Sequence, residues 1–122
     1  MQNAINWFEL FVNDLDRATR FYEAALEVKL RREEFGGTPM AIFMSAADGA
    51  VGGALVKNGR KPGGEGTLVY LNANGKLDAV LGRIEKAGGT VVQPRTDIGA
   101  PGFIAMVKDT EGNVVGLHSE RS

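Results

Sequence analysis

The chain runs through one order of structural signals twice, and that repetition limits its fold more than any other feature. "NWFELFV", Asn6 to Val12, is dense in aromatic and aliphatic residues and reads as a strand. In "LDRATRFYEAAL" the apolar residues Leu15, Ala18, Tyr22, Ala25 and Leu26 recur at helical spacing, behind an N-cap at Asn13 or Asp14. Three strand runs follow, "KLRREE" (Lys29 to Glu34), "MAIFMS" (Met40 to Ser45) and "VGGALVK" (Val51 to Lys57), divided by turn signals at Gly36-Gly37 and Asp48-Gly49. After "NGRKPGGEG" the order recurs: strand "TLVYLNA", helix "LDAVLGRIEKAG" stopped by Gly88-Gly89, then strands "TVVQP", "FIAMVK" and "NVVGLHS". The helical runs align Leu15 with Leu77, Asp16 with Asp78, Glu23 with Glu85 and Ala25 with Ala87. "DGAVGGAL" over "EGNVVGLH" aligns Gly49 with Gly112, Val51 with Val114 and Gly53 with Gly116. An internal duplication explains identities this sparse in an order this regular.

The expected architecture is α+β, one domain over residues 1–122, with module one at 1–57, a connector at 58–66 and module two at 67–122. One such unit is too small to bury a core, whereas two βαβββ modules can pair curved mixed sheets around a concave groove with the helices on the outside. Grooves of this kind take small ligands.

Composition removes several classes of function. The 14 basic and 15 acidic residues are mixed along the chain and leave a net charge of -1, so no electrostatic footprint for nucleic acid or an anionic membrane is present. There is no cysteine, which excludes disulfides, thiolate catalysis and sulfur-ligated metals. "MQNAINWFELFV" lacks the basic start and long apolar run of a leader, and no segment reaches the roughly 20 apolar residues of a membrane span. A cytoplasmic protein is the expectation. "GGTPM", "KPGGEG" and "IGAPGF" are not phosphate loops, because none has the required glycine spacing between a strand and a helix. "DIGAPGF" is a candidate lid over the groove.

Two stretches carry a resemblance to a known family. "FVNDLDRATRFYEAAL" resembles the "V-x-D-L-x-x-(S/A)-x-x-F-Y-x-x-x-L" signature of the glyoxalase / bleomycin-resistance / extradiol-dioxygenase superfamily, also called the vicinal oxygen chelate superfamily. "DTEGNVVGL" is similar to its closing "D-P-x-G-N-x-x-E-L" signature. In metal-using members the resemblance implies four ligands drawn from His, Gln or Glu, one near the start of the first strand and one in the last strand of each module. Carried over by pattern, these positions fall on Trp7, Leu68, Gly53 and Gly116. None offers a donor side chain, and the neighbours Phe8, Thr67, Val69, Gly52 and Val115 are equally poor. A site with neither metal nor cofactor is therefore expected. The resemblance further implies a homodimer and, by analogy with bleomycin-resistance proteins, binding of a small organic molecule. A glyoxalase-like lyase or isomerase, or a dioxygenase-related enzyme, is the alternative.

Alternation along the strands sorts the remaining candidates. Phe8, Leu10 and Val12 form a uniformly apolar set suited to the helix-covered face, which turns Trp7 and Glu9 toward the groove. In the repeat, Leu68, Tyr70 and Asn72 look inward, as do Val114, Gly116 and His118 in the last strand. Trp7 offers a stacking surface and an indole N–H, against a packed Trp at an interface as the plainer reading. Glu9, a carboxylate in an aromatic strand, requires a partner such as an arginine or a ligand. His118, the only histidine, is either a near-terminal residue bonded to backbone or a groove residue that orients ligand, with Glu9 and His118 as the candidate catalytic pair. The expected ligand-binding set is thus Trp7, Glu9, Gly53, Leu68, Tyr70, Gly116 and His118.

Overall fold

The structure is a computed structural model that describes residues 4–44 and 50–121; the expected Asp48-Gly49 turn lies outside them. In chain order the elements are β1 (Trp7–Phe11), α1 (Leu15–Leu26), β2 (Leu30–Phe35), β3 (Thr38–Phe43), β4 (Gly52–Val56), β5 (Tyr70–Asn72), α2 (Leu77–Arg83), β6 (Thr90–Asp97), β7 (Phe103–Lys108) and β8 (Val114–Ser119). Two four-stranded mixed sheets result, with orders β1-β4-β3-β2 and β5-β8-β7-β6. In each, the first strand runs parallel to the last and the other neighbours are antiparallel. This is an α+β fold of two tandem βαβββ units with open, curved sheets. No helix among the described residues is long and apolar enough to cross a membrane.

Local chemistry sets the ends of the helices. The Asp14 side chain accepts from the Arg17 amide at 3.0 Å and so caps α1. The α2 helix is shorter than the run to Gly88 that spacing predicts. No side chain caps it at Lys76, and its last turn tightens through a 3.4 Å bond from Ile84 N to Leu81 O. The chain still stops where the glycines predict: Gly88 N donates to Glu85 O and Gly89 N to Ile84 O, the paired bonds of a Schellman motif with Gly88 at φ 106°. β6 runs past Pro94, where the sequence suggests an end. It is the outer strand of its sheet, where a missing N–H is tolerated, and its pairing with β7 shifts register on either side of Gln93.

One apolar core joins the modules. Leu10, Val12 and Leu55 from the first sheet, and Val115 and Leu117 from the second, pack with the inner faces of α1 and α2. Phe21 and Tyr22, both nearly fully buried, meet edge to face at 4.8 Å. Burying side chains of this size stabilises the fold by about 1.5–3 kcal/mol each. Each helix covers one face of its own sheet, and the opposite face carries the other half of every strand.

Candidate functional site

On the helix-free face of the first sheet, Trp7, Glu9 and Phe11 pair in register with Gly52, Ala54 and Val56. A Cβ at Gly52 would lie 3.2 Å from the Trp7 ring, so the glycine lets the indole settle against β4. Trp7 is still 42% exposed, and its indole N–H donates to Glu9 Oε2 at 3.2 Å. Further along the face, Ile42, Ala54 and Val56 are buried beneath Phe11 and Met40. The Arg60 guanidinium stands 5.5 Å from the centroid of the Phe11 ring. Trp7, Glu9 and Phe11 line a cleft of about 510 Å³, together with Lys61, Glu65 and Thr67.

The helix-free face of the second sheet holds Tyr70, Asn72, Gly116 and His118, with Tyr70 opposite Gly116 and Asn72 opposite His118. A Cβ at Gly116 would stand 2.3 Å from the Tyr70 ring, so the tyrosine occupies the room a side chain there would need. His118 Nε2 lies 2.8 Å from the carbonyl oxygen of Pro101. A carbonyl has no proton to give, so Nε2 is the protonated nitrogen. The bond ties the turn of the "DIGAPGF" segment to β8. Tyr70, Asn72 and His118 border an open cleft of about 240 Å³. Leu68, half-buried, precedes β5.

Two expectations change here. Gly53 does not share the face of Trp7 and Glu9: it pairs with Phe8, and a Cβ on it would meet the Phe8 ring at 2.2 Å on the helix-covered side. The aligned pair Gly53 and Gly116 was therefore one residue out of register, and the face matching Gly116 in module one belongs to Ala54. By the same shift the counterpart of His118 is Val56 rather than Leu55. A slip of one residue in a strand exchanges its faces. The partner of Glu9 is the neighbouring indole, with no arginine bound to it among the described residues. Glu9 and His118 line different clefts.

Sequence reasoning missed the polar seam that sets the two faces relative to each other. The turn Asp109 to Asn113 between β7 and β8 reaches back to module one. Asp109 Oδ2 accepts from the Tyr22 hydroxyl at 2.7 Å, while Oδ1 accepts the amides of Glu111 and Asn113. Burial pushes the Tyr22 hydroxyl well above its usual pKa, and the charge of Asp109 pushes it further. Asn113 Nδ2 donates to Phe11 O at 2.8 Å, and its Oδ1 accepts from Gly63 N. Glu111, with no side-chain exposure, accepts from the amides of Asn13 and Asp14, from Arg17 at 2.7 and 3.0 Å, and from the Thr110 hydroxyl. Burial would raise its carboxyl, but the bonds from Arg17, Asp14, Thr110 and Asn13 outweigh it and hold the pKa at about 2. The "DTEGN" motif was the available signal, although its partners in module one lie 87 to 102 residues away in sequence.

The model of the Glyoxalase/Bleomycin resistance protein/Dioxygenase superfamily matches residues 4–117. The chain belongs to that superfamily. Among solved structures it resembles a hypothetical protein from S. aureus at 25% identity and TM-score 0.67, covering 98% of each chain. It also resembles a glyoxalase/bleomycin resistance protein from Albidiferax ferrireducens T118 at 18% identity and TM-score 0.74, covering 98% of this chain and 100% of that one. A third is a mutant fosfomycin resistance protein from Listeria monocytogenes, complexed with Mn(II) and 1S,2S-dihydroxypropylphosphonic acid. It is 15% identical with TM-score 0.72, and 99% and 95% of the two chains are covered. Comparison with proteins of curated description finds no match.

The superfamily's metal chemistry requires oxygen or nitrogen donors converging on one point. The positions that the resemblance assigns to ligands hold an indole, a leucine, Ala54 in place of the expected Gly53, and Gly116. The space over Gly116 is taken by the Tyr70 ring. Among the described residues no three His, Asp or Glu side chains gather in a group able to hold a metal ion. At those positions the donor set does not fit a metal.

Proposed function

We propose that this protein binds a small organic molecule on its helix-free faces through side chains alone, with neither a resident metal nor a cofactor. The observation that carries the reading is the set of side chains at the superfamily's ligand positions, which offers aromatic and apolar surface where a metal would need donors. Trp7 and Glu9 in one cleft, and Tyr70 and His118 in the other, are the residues that would contact ligand. Tyr70 and Trp7 combine a flat apolar body with a hydrogen-bond donor, which suits partly aromatic or amphipathic molecules. Glu9 and His118 as a proton-shuttling pair receive less support, because a base and an acid must reach one substrate and these two line separate clefts.

A homodimer accompanies the reading. Phe35, Val51 and Val92 are all more than 40% exposed, and a second copy packed against such apolar surface would cover it while leaving Trp7 and Tyr70 to the ligand. The test is a thermal-shift screen of small aromatic and amphipathic compounds, run on untagged protein with and without chelator. The proposal expects stabilisation that survives the chelator and is lost in Trp7→Ala or Tyr70→Ala. Stabilisation that disappears with the chelator would return metal-dependent chemistry to first place.

A further inference from the structure

We infer that the cleft beside Trp7 selects organic cations, molecules that join an ammonium or guanidinium charge to an apolar body. The inference rests on the small-molecule reading of this face and narrows it to a chemical class. Three observations support it. Among the described residues Glu9, on the aromatic strand, has no Lys or Arg paired to it and accepts one hydrogen bond, from the Trp7 indole. The indole beside it is 42% exposed, so aromatic surface and carboxylate are presented together. The same face already seats a cation on a ring, with Arg60 over Phe11, whereas no described cation lies over Trp7.

The charges around the cleft discriminate among ligand classes. Lys61 and Glu65 on its rim are opposite in sign and Arg60 is held over Phe11, so the charge in direct contact with the indole is that of Glu9. An anion placed on Trp7 would face that carboxylate. A neutral apolar molecule would strip water from Glu9 and return nothing to it, a cost that grows with burial. A cation satisfies the carboxylate and meets the electron-rich face of the ring at once. At a site this open both attractions are modest, so the expected preference is about tenfold over a neutral compound of similar size.

Trp7 is the only tryptophan, so its fluorescence reports this cleft alone. The experiment titrates the full-length protein with benzyltrimethylammonium, benzyl alcohol and phenylacetate at low and high salt. The expected result is a saturable change in Trp7 emission with the ammonium compound, about ten times tighter than with the other two. The preference should shrink as salt rises and fall to near parity in Glu9→Gln, a substitution at an exposed residue whose unchanged fold circular dichroism would verify. Equal affinities for all three compounds, or a preference untouched by Glu9→Gln, would overturn the cation inference while the small-molecule reading stands. No saturable response to any of the three would overturn both.

Discussion

Two glutamates show how differently this chain treats the seam between its modules and the open face of its first sheet. Glu111 is enclosed and takes hydrogen bonds from two backbone amides, a guanidinium and a hydroxyl. Glu9 is exposed and takes one among the described residues, from the indole two residues away. A carboxylate whose acceptor sites are all filled holds structure together and has nothing left for a ligand. One that keeps free lone pairs beside an aromatic ring costs little while water covers it and is available when a partner arrives.

The contrast can be broken most forcefully at the seam. Glu111→Gln removes the charge that Arg17 and the amides of Asn13 and Asp14 converge on, and should cost about 2–4 kcal/mol. Chemical denaturation would measure this directly. Acid should act on the same group. Its carboxyl titrates at about 2 in the folded protein, against roughly 4.3 when unfolded. The unfolded chain therefore takes up the proton first as pH falls. The stabilisation is complete above about pH 5 and is lost progressively toward pH 2, amounting to about 3 kcal/mol. Denaturation curves across that range should fall for the native protein, and Glu111→Gln should remove this part of the slope.

Next in size is a glycine on the covered side. Gly53→Ala would drive a methyl into the Phe8 ring, which packs against the core, at an expected cost of about 2 kcal/mol. Tyr22→Phe deletes one of the four hydrogen bonds that described residues make to the Asp109 carboxylate and should cost about 1–2 kcal/mol. Gly116→Ala meets Tyr70, a ring nearly half exposed that can swing outward, so a loss under about 1 kcal/mol is expected. Glu9→Gln should change stability by no more than about 0.5 kcal/mol, since nothing in the fold depends on its charge. A large loss at Glu9 would make it a second structural carboxylate and erase the contrast.

These sites also mark where the sequence was legible. The covered and open faces of β1 and β8 follow from alternation, because one set of side chains is uniformly apolar and only one face can be buried. The two adjacent glycines of "VGGAL" carry no side chain to mark a face, so an alignment can slip by one residue there at no hydrophobic cost. That is how Gly53 came to be matched with Gly116. The extension of β6 beyond Pro94 depends on its place at the sheet edge, which only the assembled topology reveals. "DTEGN" announces a turn, but its ties to Tyr22, Arg17 and Phe11 require the two modules to be docked. Glu9 reads in the sequence as a carboxylate in need of a partner, but β1 lies at the sheet edge and leaves it exposed, so water serves it beside the indole on the same face.

Central to the proposed function is a set of superfamily ligand positions that holds no metal. The most direct test is elemental analysis of untagged protein after incubation with Mn(II), Zn(II), Ni(II) and Fe(II) salts and exhaustive dialysis. The account predicts far less than one ion per chain for every metal. Retention of one ion per chain, released by chelator, would contradict it.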